Sequence, residues 1–453
     1  VRQYYIIIIL LCSLQLMPGC SKKDLAGPQN VTDQSINKWV LNRMEVYYYW
    51  NTSLPHNPSF DQEPNVFFNQ LKNASDRFSR LYYKKNPQGF DGTLINNFGF
   101  DLIAVETSTG FSVSIALVVP GSTAETSGLV RGQYLSGING QTLTQDNIQS
   151  VTESALRQQS IVLQMKQGGT ITLPSAYIGE PVVYQQSVIP TGDHKTGYLV
   201  IGPFDYFGVY DILNACQYFK AQQIDNLIID LRYSPGGSVP FSALLTALFA
   251  PVKGDQLYTV FKGNANAKTI ESTFQNELAK QPEGYSFTMA SLLPYQLSLA
   301  SLYILTTRQT ASAAELITNN LKPYVRVTQI GDRTLGKDMA SLAIEDERQP
   351  PIMTDITIYP MVFKLYNAQG NGDYAQGLIP NYSVYETDNL PLKPLGSTED
   401  PLIRKAMEII TGRVTNRQGI TNGSLLNPTG ISNRIIFESR SILSKGSDLI
   451  FVP

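Results

Sequence analysis

The sequence predicts a multidomain chain of mixed α/β and α+β class: a small N-terminal helical region, an α+β module and an α/β core. Three patterns predict it. From residue 184 onward, apolar strand-like runs alternate with amphipathic helical stretches, the arrangement of a sheet with crossover helices. Residues 88–178 carry period-2 apolar alternation broken by glycine turns. Residues 35–87 show the 3.6-residue spacing of helices.

The first element is a leader. Arg2 precedes an apolar run of about a dozen residues, shorter than a bilayer span, which reads as a secretory signal over residues 1–19. Gly19-Cys20 resembles a bacterial lipobox, which implies lipidation of Cys20; the alternative is a plain signal peptide with Cys20 as an ordinary cysteine. The lipobox reading implies a bacterial cell-envelope protein held by lipid at the periplasmic or surface face of the outer membrane. Residues 20–34 are polar with Gly and Pro and read as a tether.

Helices are expected over Ile36–Trp50 and over Asn65–Tyr82, with Tyr47-Tyr48-Tyr49-Trp50 packing the core of a small cap. In the module, Phe111, Val113, Ile115, Leu117 and Val119 alternate as a half-buried strand does. Asp146–Gln158 is expected as a helix, and Ser160–Leu173 as a hairpin turning at Gly168-Gly169. The core, residues 184–415, is expected to run strand 196–201, helix 207–223, strand 226–231, helix 239–250, strand 302–307, helix 312–321, strand 325–330 and a last helix Pro401–Thr411. Residues 416–453, polar with isolated apolar patches, form a C-terminal extension without an assigned role.

Composition narrows the function classes. Thirty-five basic and 37 acidic residues, with no basic block, give no footprint for nucleic acid. Cys12 falls in the leader and Cys20 in the lipobox, leaving Cys216 alone, on one helical stripe with Val209, Ile212, Leu213 and Phe219; it reads as a small core residue. Neither paired-cysteine zinc spacing nor H-E-x-x-H occurs, so no metal and no cofactor are expected.

Ser312 in TASAAE and Lys337 in GDRTLGK carry the chemistry. A serine hydroxyl needs a base, and the chain has only His56 and His194 as imidazoles, which makes lysine a natural candidate. A competing reading is structural, because Ser312 and Glu315 have the S-x-x-E spacing of a capping box ahead of Leu316 and Ile317. Lys337 serves as a base only if burial among apolar groups lowers its pKa toward neutrality, with Asp338 turned to the opposite face of a strand. Gly236 and Gly237, after the apolar run Leu227–Leu231, suit a sharp turn that exposes N–H groups.

Three ordered blocks, NLIIDLRYSPGGSV (226–239), LYILTTRQTASAAELI (302–317) and VTQIGDRTLGKDMAS (327–341), resemble the C-terminal processing peptidases, tail-specific serine peptidases with a Ser/Lys dyad. The resemblance implies Ser312 as nucleophile, Lys337 as base, and an oxyanion hole from Gly236 or Gly237 and Ala313. Ser341 stands where that family usually has a glutamine that orients the amine, and Asn381 where it more often has aspartate. Residues 88–178 resemble a PDZ domain. That likeness implies that Asn97, Phe98, Gly99, Phe100, Asp101 and Leu102 form a loop capturing a peptide carboxylate, with the peptide added as a strand. Implied partners are proteins or peptides with free C-termini, and a membrane through the N-terminal lipid. Two other readings stay open: a peptide-binding lipoprotein in which Lys337 stays protonated, and an esterase using His194.

Overall fold

The structure, a computed structural model, describes residues 32–84, 92–108, 110–346, 348, 356–412 and 433–441. The expected leader, Cys20 and most of the tether lie outside the described residues.

α1 (Asp33–Tyr47) starts where the Thr32 side chain accepts the Ser35 N–H, and α2 (Pro64–Leu71) starts with the Glu63 carboxylate on the Val66 N–H. The single helix expected over 65–82 does not form. Asn73 accepts the Ser75 N–H at 2.9 Å, and Asp76 accepts the Phe78 and Ser79 N–H groups at 3.0 and 2.9 Å. These local acceptors compete with the helix and turn the chain into β1 (Arg80–Tyr83). Tyr48, fully buried, donates its hydroxyl to Asp76 at 2.8 Å and ties α1 to that turn.

The next module contains α3 (Leu94–Phe98), β2 (Phe100–Thr107), β3 (Gly110–Val118), α4 (Thr123–Thr126), β4 (Tyr134–Ile138), β5 (Gln141–Thr142), α5 (Ile148–Ala155), β6 (Ser160–Met165) and β7 (Thr170–Pro174). Asn139 and Gly140, at φ 52° and 77°, make the tight β4–β5 turn, as an Asn-Gly pair does. β3 is buried on both faces. Val113 and Ile115 pack with α5 residues Ile148 and Val151, while Ala116 and Leu117 pack with Tyr233 and Leu392 of the core.

The core follows with β8 (Val183–Thr191), β9 (His194–Ile201), α6 (Val209–Gln222), β10 (Asn226–Asp230), α7 (Val239–Phe249), β11 (Leu257–Lys262), β12 (Thr269–Thr273), α8 (Phe274–Leu278), α9 (Met289–Leu292), β13 (Ser301–Thr306), α10 (Ala313–Asn320) and β14 (Arg326–Gly331). Then come β15 (Met339–Ser341), β16 (Ile344–Glu345), β17 (Ile356–Tyr359), β18 (Met361–Tyr366), β19 (Tyr382–Ser383), α11 (Pro401–Thr411) and β20 (Arg434–Glu438). The main sheet runs β19-β14-β13-β10-β9-β8, parallel except for β8.

Alternate residues feed its two faces. Leu227 and Ile229 join α6, α7 and α10 on one side, and Ile228 joins Leu402, Ile403 and Ala406 of α11 on the other. Cys216 is fully buried in the first of these layers, where burial pushes its thiol up to about 12. A second sheet has the order β12-β11-β18-β15, and a third, β1-β17-β16, seats the N-terminal helices on the core. β20, from the extension, joins the module sheet at the outer edge of β2.

Candidate active site

The nucleophile candidate follows β13. The turn after this strand is stitched to the segment after β10: the Ala311 N–H donates to Ser234 O at 3.1 Å, Thr310 Oγ1 to Leu231 O at 2.7 Å, and Thr307 Oγ1 to Arg232 O. Parallel pairing of β10 with β13 brings these two C-terminal strand ends together. Gly236 and Gly237 sit at φ 82° and 146°, a region open to glycine, and a Cβ at Gly236 would lie 2.5 Å from both Ala311 O and the Ala313 nitrogen. Gly236 and the Ala313 N–H are therefore neighbours.

Ser312 is half-buried and begins α10 with φ 55° and ψ −118°, far from the extended backbone of an ordinary N-cap, and its hydroxyl makes no cap bond. Its cap contact runs the other way, with Glu315 Oε2 accepting the Ser312 N–H at 2.9 Å. A strained φ at a non-glycine residue persists only where its surroundings enforce it. Here the close approach of Gly236 and the Glu315 bond do so.

Glu315 joins the two halves of the site, a role that sequence reading reduced to capping. Its Oε2 also accepts the Lys337 N–H at 2.8 Å, while Oε1 accepts the Gly336 N–H at 2.7 Å and the Thr334 hydroxyl. One oxygen thus holds the backbone of Ser312 and of Lys337, and the two bonds together cap the separation of their nitrogens. Glu315 is fully buried; burial raises its pKa, and the four donors oppose that rise.

Lys337 lies in the irregular stretch before β15 and not on a strand. It is 6% exposed, and burial first, then Arg80, lowers its amine from 10.5 to about 7, against the pull of Glu315 and Asp76. Its Nζ lies 5.8 Å from the Phe78 ring centroid, and Arg77 donates to Leu335 O at 2.8 Å. The segment Asp76–Arg80 thus roofs the amine, a contribution with no signal in the sequence. Asp338 turns away, as expected, with its carboxylate 3.7 Å from Lys364. Ser341 is buried at the end of β15 opposite Met361, while the charged neighbours of the amine are Arg80, Glu315 and Asp76. Among the described residues, no hydrogen bond joins the Ser312 hydroxyl to the Lys337 amine; what the two residues share is the Glu315 carboxylate, through their backbone N–H groups.

His194 cannot serve Ser312 in this fold. It begins β9, at the N-terminal ends of the parallel strands, beside Asp225 at 3.7 Å, whereas Ser312 follows their C-terminal ends. The esterase reading falls on this placement.

Asn97–Leu102 is not a loop. Asn97 and Phe98 end α3, Gly99 caps it at φ 84°, and Phe100–Leu102 begin β2. Phe98, Phe100 and Leu102 are buried; the Gly99 N–H goes to Leu94 O and Ile95 O, and the Leu102 N–H to Asp101 Oδ1 and Ser439 Oγ. Among the described residues, no group of three or more His, Cys, Asp or Glu is placed to hold a metal ion.

The module docks beside the glycine turn. Arg131 pairs with Glu386 at 2.7 Å and bonds the Tyr233 hydroxyl, three residues before Gly236. Glu386 also meets Arg232 at 3.4 Å, and this fully buried guanidinium pairs with Asp230 and Asp400 at 2.7 Å each. Burial raises the Asp400 carboxyl, but Arg232 and Arg131 outweigh it and hold it below the usual range.

Comparison with known proteins shows the family. Residues 195–384 match the profile of peptidase family S41, and residues 35–80 that of the peptidase S41 N-terminal domain. The carboxy-terminal processing protease CtpB of Bacillus subtilis is 22% identical over 341 residues, 73% of this chain and 64% of that protein. The carboxyl-terminal-processing protease of Synechocystis is 24% identical over 315 residues, 67% of this chain and 66% of that one. The chain thus spans about two thirds of each relative's length. A crystal structure assigned as an S41 protease of Bacteroides fragilis superposes with TM-score 0.67 at 27% identity, covering 83% of this chain and 97% of that one.

Proposed function

Because this chain belongs to peptidase family S41, we propose that it is a serine endopeptidase acting on extracytoplasmic proteins or peptides through Ser312 and Lys337. The observation that carries the reading is the buried Lys337, its amine lowered to about 7, held on the same carboxylate as the strained Ser312. Such an amine is substantially neutral at physiological pH and is matched to proton transfer there.

Ser312 Oγ attacks the substrate carbonyl as Lys337 Nζ takes its proton. The N–H groups of Ala313 and of Gly236 or Gly237 receive the oxyanion. Lys337 returns the proton to the departing amine, and water, deprotonated by Lys337, resolves the acyl-enzyme. The hydroxyl and amine come into hydrogen-bond contact when substrate orders the site, a tightening common to catalytic pairs. Ser341, at the end of β15, is the proposed shorter stand-in for an amine-orienting glutamine. Substrate recognition falls to the 88–178 module, read as a PDZ domain that takes the C-terminal region of a substrate as an added strand. Lipidation at Cys20 and a place in the bacterial envelope complete the proposal, and palmitate labelling that a Cys20→Ser variant abolishes is its test.

Labelling with a serine-directed fluorophosphonate tests the chemistry. Wild type should label at Ser312, a Ser312→Ala variant not at all, and Lys337→Met at least a hundredfold more slowly. Equal labelling of wild type and Lys337→Met would reject the dyad. A folded wild type inert to the reagent, with and without added peptide, would favour the peptide-binding scaffold.

A further inference from the structure

The outer edge of β2 is not free. Four residues of β2 pair antiparallel with β20, Ile103 opposite Glu438, Ala104 opposite Phe437, Val105 opposite Ile435 and Glu106 opposite Arg434. The partners are more than 300 residues apart in sequence. Addition of an extended segment to an exposed strand edge is the geometry of peptide recognition by β-augmentation, in which main-chain bonds supply affinity and alternate side chains supply selectivity. Ile436 and Phe437 pack on the module core that contains Leu102, Ala104 and Val151, and Ile435 faces the opposite layer with Ile103 and Val105.

The end of the segment is clamped by charge. Ser439 Oγ accepts the Leu102 N–H at 3.0 Å and bonds Asp101, while Arg440 reaches Asp101 at 3.0 Å and Glu180 at 2.7 Å. Asp101 is fully buried at the start of β2, where a terminal carboxylate was expected to be received. A second carboxylate there would meet Asp101 and Glu180 with no cation between them, so the edge favours a strand that ends in a basic side chain. The segment also touches the nucleophile turn, since Gln309 donates to Glu438 at 3.1 Å three residues before Ser312. It is less buried than the interior strands β2 and β3. β20 has no fully buried residue, its ladder breaks register between Ala104 and Val105, and the Arg434–Glu106 pair at its far end is exposed.

We propose that Asn433–Ser441 is an exchangeable internal ligand of the β2 edge, and that an extended apolar segment with a trailing arginine displaces it. The proposal deepens the peptide-recognition reading and rests on it. The edge is then autoinhibited: an incoming strand competes with a segment tethered to the same molecule, whose effective concentration sets the threshold for entry.

The test uses the full chain and a fluorescein-labelled peptide of residues 430–441, followed by anisotropy. Glu106→Cys/Arg434→Cys places thiols at directly opposed positions, within disulfide reach. Oxidised, this variant should bind the peptide at least tenfold more weakly than when reduced. Arg440→Ala, which unclamps the internal segment, should bind it at least tenfold more tightly than wild type, and a peptide carrying Arg440→Glu should bind neither. Equal binding by the oxidised and reduced forms, failure of the disulfide to close, or no gain in Arg440→Ala would each overturn the proposal. Binding is read without cleavage, so such a failure leaves the Ser312 labelling result standing on its own.

Discussion

Replacing Lys337 with methionine tests the electrostatic state of the site without any substrate. The amine is 6% exposed, and burial with Arg80 takes it from 10.5 to about 7. Between those two values the unfolded lysine holds a proton that the folded one has lost, so stability rises with pH across that window. The contribution is complete above 10.5, declines as the pH falls toward 7, and stays constant below it. At about 1.4 kcal/mol per pH unit, the full window is worth on the order of 5 kcal/mol. Methionine keeps the unbranched chain and removes the charge. Lys337→Met should therefore be more stable than wild type by several kcal/mol near neutral pH, by roughly 2 kcal/mol near pH 9, and by little where the free amine loses its proton. Urea midpoints for both proteins from about pH 6 to pH 10, at unchanged m-value, measure this difference. A gap that does not narrow with rising pH, or a wild type more stable than the variant near pH 7, would refute the buried neutral amine.

Glu315→Gln places an amide among four donors, so one N–H faces another; thermal melts should show a loss of roughly 2–4 kcal/mol. Glu315 also raises the Lys337 pKa, so the acid limb of the phosphonate-labelling pH profile should move to lower pH in this variant, a shift that mere loosening would not produce. Gly236→Ala puts a Cβ 2.5 Å from Ala311 O at a φ of 82°; labelling of Ser312 should fall at least tenfold, with a stability loss of about 1–3 kcal/mol by denaturant titration. Arg232→Leu leaves Asp230 and Asp400 without their cation in the interior, while Glu386 keeps Arg131, and should destabilise by about 3–5 kcal/mol, read as a drop in urea midpoint.

Much of the core was legible along the chain because each piece of it is a local pattern. The parallel strands around Leu227–Leu231 and Leu302–Thr306, the helices that follow them and α11 all fall where their apolar spacing places them. Local chemistry also accounts for one miss, since Asn73 and Asp76 stop a helix that the apolar spacing alone would continue. The apolar run Arg434–Glu438 has the residues of a strand, yet its partner β2 lies more than 300 positions away, so the sequence held the strand without its place.

By itself, then, the sequence determined the order of strands and helices in the core and put a serine and a lysine on two of its turns. Only the tertiary structure decided what those residues are. Burial under Asp76–Arg80 sets the Lys337 amine, Gly236 and the Glu315 bond enclose Ser312 at its positive φ, and Glu315 binds both turns at once. Periodicity is a property of neighbours along the chain. Desolvation, steric closure and a shared carboxylate depend on groups from distant segments, and they arise only when the chain has folded.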